Sequence, residues 1–361
     1  MNVEVRALSR YVKYARLIGM IFRKKPRLVV RVAHNMLRRI VLREKVVRKV
    51  EMGITFGCQC DCGKCSSQFM HHQNRAELTL GEIRKLAGEI IALGAIHINI
   101  TGGEPLLCKS LFDIIACFQP YHTLITINTN GLLLDEDMID RLERVGVDII
   151  KISIDSPIAE EHDRSRGYAG CFTQAMKALA YIKKKKKILA QISTVCIKEN
   201  LNSERIWTLV KIARDYNALL GLTIPAASGK WRGDATVLLE NKEKAVLKKL
   251  IKIPHVIRDT DEAYLRSHCP AGSEEFYVTC YGDVIPCPLI QISFGNVKEE
   301  NIRSIWARMN DFSGFKDKQK PGCLAGENRE FIEKYLSPLK NQEHLPVSIS
   351  DISLPHAGNI P

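Results

Sequence analysis

Four cysteines fall within eight residues, Cys58, Cys60, Cys62 and Cys65, in the stretch GITFGCQCDCGKC (53–65). Thiolate sulfur at that density is ligand chemistry. Cys58, Cys62 and Cys65 form C-x3-C-x2-C, a spacing with which one short loop wraps three thiolates around a compact centre. A tetrahedral zinc and a four-iron cluster both accept it. Cys60 would complete an all-cysteine zinc site, but it lies two residues from each neighbour, which strains ligation of a single ion. A cubane cluster with three protein ligands leaves one iron open, and ligand preference favours it over zinc. A second set comes late, at Cys269, Cys280, Cys287 and Cys323. The 12 cysteines lie in a chain that carries no recognisable export signal, which argues for metal or redox chemistry rather than a disulfide framework and predicts a cytoplasmic location.

These sulfurs must be positioned by the elements between them. VEMGITF (50–56) reads as a strand, and LTLGEIRKLAGEIIALGA (78–95) as an amphipathic helix opened by a Thr79/Glu82 capping box. IHINI (96–100), a helix near 107–118, TLITINT (123–129), a helix near 135–145 and DIIKISID (148–155) follow. ILAQISTVCI (188–197), a helix near 203–217 and LLGLTIP (219–225) complete six strand–helix units. Such alternation predicts an α/β fold with a parallel sheet, as an open doubly wound sheet or a partial barrel. In either form ligands gather at the carboxyl ends of the strands. The cysteine stretch follows the first strand there, and TGGEP (101–105) follows the second.

Together, C-x3-C-x2-C after one strand and Gly102-Gly103-Glu104-Pro105 after the next resemble the radical S-adenosylmethionine superfamily. NTNG (128–131), ISID (152–155) and HDRSRGYAGCF (162–172) extend the resemblance across about residues 50–225. It implies a partial (β/α)6 barrel of the TIM type and a [4Fe-4S] cluster on Cys58, Cys62 and Cys65. Its open iron would be chelated by S-adenosylmethionine, and Gly102, Gly103 and Glu104 would hold the methionine amino group. Ser153 would face the ligand, and Arg166 would help bind its carboxylate. One-electron cleavage would then give a 5′-deoxyadenosyl radical that abstracts hydrogen from an unactivated C–H bond. The family usually has an aromatic residue before the third cysteine; Lys64 stands there. Cys269, Gly282 and Cys287 in C-x12-G-x4-C, with GNV (295–297) and IRSIW (302–306), resemble the SPASM or twitch extensions that bind auxiliary iron–sulfur clusters. Without a dense cysteine run after Cys287, the resemblance implies one auxiliary cluster on Cys269, Cys287 and Cys323, with Cys280 an alternative fourth ligand. It also implies a reductant such as flavodoxin or ferredoxin. Substrates of such families include peptides, sugars and aminocyclitols, tetrapyrroles and lipid-linked molecules. The competing reading is an iron–sulfur electron carrier or a zinc-binding nucleic-acid module, neither of which needs the GGEP loop.

Charge divides the chain. Residues 1–50 hold 15 Lys and Arg against Glu4 and Glu44, so they carry the whole formal charge of +13 and the remaining residues are neutral. Within them, 3–25 and 26–47 place apolar residues at helical spacing, and Pro26 suits a helix start. This N-terminal basic helical arm packs on the barrel, or attaches peripherally to an anionic membrane surface; nucleic acid is the weaker partner. No stretch reaches the roughly 18 apolar residues of a membrane span. The organisation expected is the arm (1–50), the radical core (51–235), a connecting helical segment (236–265), a small C-terminal iron–sulfur domain (266–327) and a loosely packed tail (328–361). Cys108, Cys117, Cys171 and Cys196 read as core residues, and Cys60 as pointing away from the cluster.

Overall fold

The computed structural model describes residues 24–72, 74–185, 187–258, 268–315 and 322–352, together with Gly19. The first expected helix of the arm, 3–25, therefore lies outside the described residues except for Gly19, Lys24 and Lys25.

Helix α1 (Pro26–Ile40) starts on its proline and ends seven residues before the expected boundary. From there the chain turns at 41–43, where Arg43 has a φ of +55°, and runs without regular structure into strand β1 (Lys49–Gly53). Several of its cations serve as anchors. Buried Lys25 donates to Thr123 O at 2.9 Å and Gly146 O at 3.1 Å and pairs with Asp148, while Arg31 reaches Ala95 O at 2.8 Å. Asn35 donates to Gly94 O at 2.5 Å. Such bonds fix the helix to the end of the barrel opposite the cysteine loop, because each donor meets a carbonyl that no strand uses.

The barrel follows as helix α2 (Leu80–Ala92), strand β2 (His97–Thr101), helix α3 (Leu111–Cys117), strand β3 (Leu124–Thr129), helix α4 (Glu136–Val145) and strand β4 (Ile149–Ser153). Helices α5 (Ala159–Arg166) and α6 (Cys171–Lys184), strand β5 (Leu189–Val195), helix α7 (Glu204–Asp215) and strand β6 (Leu219–Thr223) complete it. The six strands pair in parallel in chain order. Local signals set the helices: the Thr79/Glu82 capping box opens α2, and Asp135 caps α4, which ends on left-handed Gly146.

Alternation within the strands decides which side meets the helices. Val50, Met52, Ile98, Ile100, Ile125, Ile127, Ile150, Ile152, Leu220 and Leu222 are at most 1% exposed and form the outer core. Truncating any one of them to alanine costs roughly 2–5 kcal/mol. Their neighbours, Glu51, Asn99, Asn128, Lys151 and Ser193 among them, line the inside, so the barrel interior is polar.

Two expected boundaries are boundaries of sequence texture only. The connecting segment supplies helix α8 (Asn241–Leu250) and strand β7 (Val256–Arg258), which pairs with β6. Strand β8 (Glu275–Val278) of the C-terminal module pairs in parallel with β1, and strand β9 (Val284–Ile285) folds back on it through the turn at Gly282, whose φ is +97°. One nine-stranded sheet results. Helix α9 (Ile302–Asp311) packs against α2. The loosely packed tail is also corrected: 324–341 is a run of short helical turns that bury Phe331, Ile332, Tyr335, Leu336 and Leu339. Phe312 and Phe315 pack against Phe331 and Tyr335, with ring centroids 4.9 to 6.0 Å apart within this group. Turns of three to five residues never establish a helical period, so the sequence hid this packing.

Candidate functional site

At the carboxyl ends of the strands, the loop after β1 and the loop after β2 lie back to back. Gly103 N donates to Thr55 O at 2.7 Å and Glu104 N to Gly57 O at 2.8 Å. A Cβ on Gly102 would come within 2.0 Å of Thr55 O, and one on Gly103 within 2.3 Å of Gly57 O. The glycines are thus required first by loop-against-loop packing. Both also line a cavity of 610 Å³ with Cys58, Cys60, Cys62 and Cys65.

Glu104 lies beneath the second loop. Its carboxylate is fully buried, is not part of that cavity wall, and accepts from Leu106 N at 3.1 Å, Thr129 Oγ1 at 2.8 Å and Asn130 N at 2.8 Å. It ties the second loop to the third strand. Burial raises its pKa to about 7 against the pull of those donors.

Ser153 and Arg166 both line the cavity. Arg166 is already committed: it pairs with Asp155 at 2.5 Å and lies 3.7 Å from Cys62 Sγ, while its buried Nε has no hydrogen-bond partner. Lys64, at the position where an aromatic residue was expected, reaches the other oxygen of Asp155 at 3.0 Å. Burial alone would push the Asp155 carboxyl up; Arg166 and Lys64 overcome it and hold it at about 2.

Cys60 does not point away. It lines the cavity and shares hydrogen bonds with Cys58 and Cys62. Those bonds are the first cause that draws Cys58 down to about 7 and Cys62 to about 6, with Arg166 assisting at Cys62, whereas burial raises Cys65. Cys171, read as plain core, is buried at the start of α6, where Cys60, His162 and Arg166 lower its thiol to about 5. Asn130, from the NTNG stretch, donates toward Cys58 Sγ at 3.9 Å.

The late cysteines meet in a second chamber, of 230 Å³, inside the barrel mouth. Cys269, Cys287 and Cys323 all line it. Burial raises the Cys287 and Cys323 thiols, and their proximity to Cys269 raises both further. Cys280 is elsewhere, hydrogen-bonded with Glu77 and Tyr281. Ser66, Ser67, Thr101, Asn128 and Ser193 line both cavities, so the two adjoin. Residues the motifs did not reveal complete the chamber: Lys49, Glu51, Asn99, Lys151 and Glu275. Their signal is the period-2 alternation of polar with aliphatic residues in KVEMG, HINIT and IIKIS.

Both donor sets fit iron–sulfur groups. The first gathers four thiols beside a cation, with two held toward thiolate, around a space large enough for a cluster and a nucleoside-sized ligand. Among the described residues no three Cys, His, Asp or Glu side chains form a preset single-ion site.

Comparison with known proteins places this geometry. The radical SAM superfamily model matches residues 52–210, and the SPASM iron–sulfur cluster-binding domain matches residues 269–325. The chain belongs to the radical SAM superfamily. An AdoMet-dependent heme synthase from Methanosarcina barkeri is 25% identical over 302 residues, 76% of this chain and 86% of that one. A PqqA peptide cyclase from Methylocella silvestris is 26% identical over 298 residues, 77% of this chain and 79% of that one. Among solved structures, Streptococcus suis SuiB bound to its precursor peptide SuiA superposes with a TM-score of 0.59 at 14% identity, over 73% of this chain but only 65% of SuiB. The AdoMet- and peptide-bound anSMEcpe gives 0.58 at 15%, over 82% and 95%. The partial (β/α)6 barrel with a cysteine-rich C-terminal region is the fold of this radical SAM chain. It is an enzyme that uses a [4Fe-4S] cluster, S-adenosylmethionine and auxiliary iron–sulfur, which removes the carrier and zinc-module alternatives. No helix among the described residues is long and apolar enough to cross a membrane.

Proposed function

We propose that Cys58, Cys62 and Cys65 hold the reducing [4Fe-4S] cluster and that Gly102, Gly103 and Ser153 line the place of S-adenosylmethionine. Cys269, Cys287 and Cys323 hold the auxiliary cluster. When bound, the first cluster supplies one electron that breaks the S–C5′ bond of S-adenosylmethionine, giving methionine and a 5′-deoxyadenosyl radical for hydrogen abstraction from an unactivated C–H bond. The chain's own groups prepare that event. Cys60 lowers the neighbouring thiols toward the ligating form, Glu104 fixes the glycine loop, and Asp155 pairs with both Arg166 and Lys64 at the cavity wall. The observation that supports this reading is the shared wall between the two cysteine-lined cavities, which leaves room for a substrate between radical source and auxiliary cluster.

The relatives' names point to heme and peptide chemistry, and the electron donor we propose is a flavodoxin or ferredoxin. A peripheral membrane role for the arm is supported by Val30, Leu37 and Val41, which are 69%, 53% and 64% exposed among basic residues.

The test is anaerobic reconstitution and reduction, followed by iron counting and detection of 5′-deoxyadenosine after addition of S-adenosylmethionine. The wild type is expected to form it and Cys62→Ala is not. Bound zinc in place of iron, or no cleavage under strong reduction, would sink the reading.

A further inference from the structure

The inner chamber holds a cation that the fold does not use. Lys151, in the middle of β4, is 6% exposed, lines the chamber, and among the described residues makes no side-chain hydrogen bond or ion pair. A buried ammonium is costly to leave uncompensated, so a position that keeps one usually presents it to a ligand. The other charges of the chamber are engaged: Lys49 holds Glu51 at 2.9 Å and Glu275 at 3.4 Å.

Two acceptors that line the same chamber lack donors among the described residues. Asn99 is 1% exposed and donates its Nδ2 to Glu51 Oε2 at 2.9 Å, which fixes the amide and leaves its buried Oδ1 without a donor. Asn128, the strand partner of Lys151, also has a buried Oδ1 with no donor. A cation and two acceptors without partners among the described residues suit a ligand arm that carries a carboxylate with an N–H group nearby. At 230 Å³, part of which the auxiliary cluster proposed on Cys269, Cys287 and Cys323 would fill, the chamber is smaller than the roughly 300–1,000 Å³ of pockets that enclose a whole ligand, so beside that cluster it takes only one arm of a larger molecule.

We propose that Lys151 anchors a carboxylate of the substrate in this chamber, with Asn99 and Asn128 accepting from its N–H groups, so that the adjoining part of the substrate faces the cysteine-loop cavity. The proposal rests on the radical reading above and names its substrate class: a carboxylate-bearing molecule, whether an acidic peptide side chain or an acid arm of a tetrapyrrole.

The experiment is isothermal titration of the reconstituted full chain, with S-adenosylmethionine present. The probes are a capped Ala-Glu-Ala peptide and coproporphyrin III, each beside its methyl ester. One acid form is expected to bind about tenfold or more tightly than its ester, the scale of one charge-assisted hydrogen bond, and which one binds identifies the source of the carboxylate. Lys151→Met is expected to remove that advantage and Lys151→Arg to restore most of it. Asn128→Asp, which sets a competing carboxylate beside Lys151, should weaken the acid form similarly in a chain that keeps its lysine. The proposal is overturned if neither acid outbinds its ester, or if Lys151→Met weakens S-adenosylmethionine instead of the probe. Formation of 5′-deoxyadenosine by the wild type is read separately on the same sample; its absence would count against the radical reading, while the titrations would still judge the chamber.

Discussion

A methyl group added to Gly103 would stand 2.3 Å from one carbonyl oxygen and 2.6 Å from another, both in the backbone of the cysteine loop. Backbone cannot move aside as a side chain would, so Gly103→Ala is expected to push the two loops apart at a cost of about 1–3 kcal/mol or more, read as a lower melting temperature and less iron taken up on reconstitution. Asp155 illustrates charge at the same scale. Its folded pKa of about 2 lies below the ordinary 3.8, so the stability it contributes is present above about pH 4 and is lost as pH falls through 2. That contribution is on the order of 2 kcal/mol. Acid titration of the melting temperature should therefore fall more steeply below pH 4 in the wild type than in Asp155→Asn. The variant itself leaves Lys64 and Arg166 without their shared partner and is expected to be less stable at neutral pH.

Helix α1 shows how an element can be misread from its charge. A run of arginines on an amphipathic segment suggests a solvated or membrane-bound face, yet Lys25 and Arg31 point inward to carbonyls and to Asp148. Removing one member of a buried pair costs roughly 3–5 kcal/mol. Lys25→Met should accordingly lower the urea midpoint strongly, and adding Asp148→Asn should recover part of the loss. The outward side can be tested apart from these anchors. If Val30, Leu37 and Val41 meet lipid, the wild type should sediment with phosphatidylserine vesicles at low salt, and a variant with serine at all three positions should not. Equal sedimentation of both would remove the membrane role.

At the level of the whole molecule, β8 decides how many units there are. Because it pairs with β1, the C-terminal cysteines are carried by the same sheet as the first cysteine loop. Truncation at residue 265 would leave β1 with a bare edge, and the product is expected to aggregate rather than fold as a free barrel. In the full chain, urea unfolding followed by tryptophan fluorescence and by far-ultraviolet circular dichroism should give coincident midpoints. The same continuity brings Cys269, Cys287 and Cys323 to one chamber. Replacing all three by alanine should lower the iron content from about eight to about four per chain, as loss of one four-iron cluster requires.

The sequence by itself determined the chemistry and the order of the strands. Cysteine spacing within one loop, GGEP after the next strand, capping residues and alternating aliphatics are local signals, each set by the geometry of a few neighbouring residues. Only the tertiary structure decided what lies between those signals. It turned Glu104 away from the cavity, drew Cys60 and Cys171 toward the cysteine loop, joined cysteines 269, 287 and 323, and left Lys151 facing an inner chamber. Those outcomes depend on which side of a curved sheet a residue faces and on what crosses from distant segments. The parallel order of the strands and the pairing of β8 with β1 fix both, the latter through contacts that separate residues by more than 200 positions and leave no period to read along the chain.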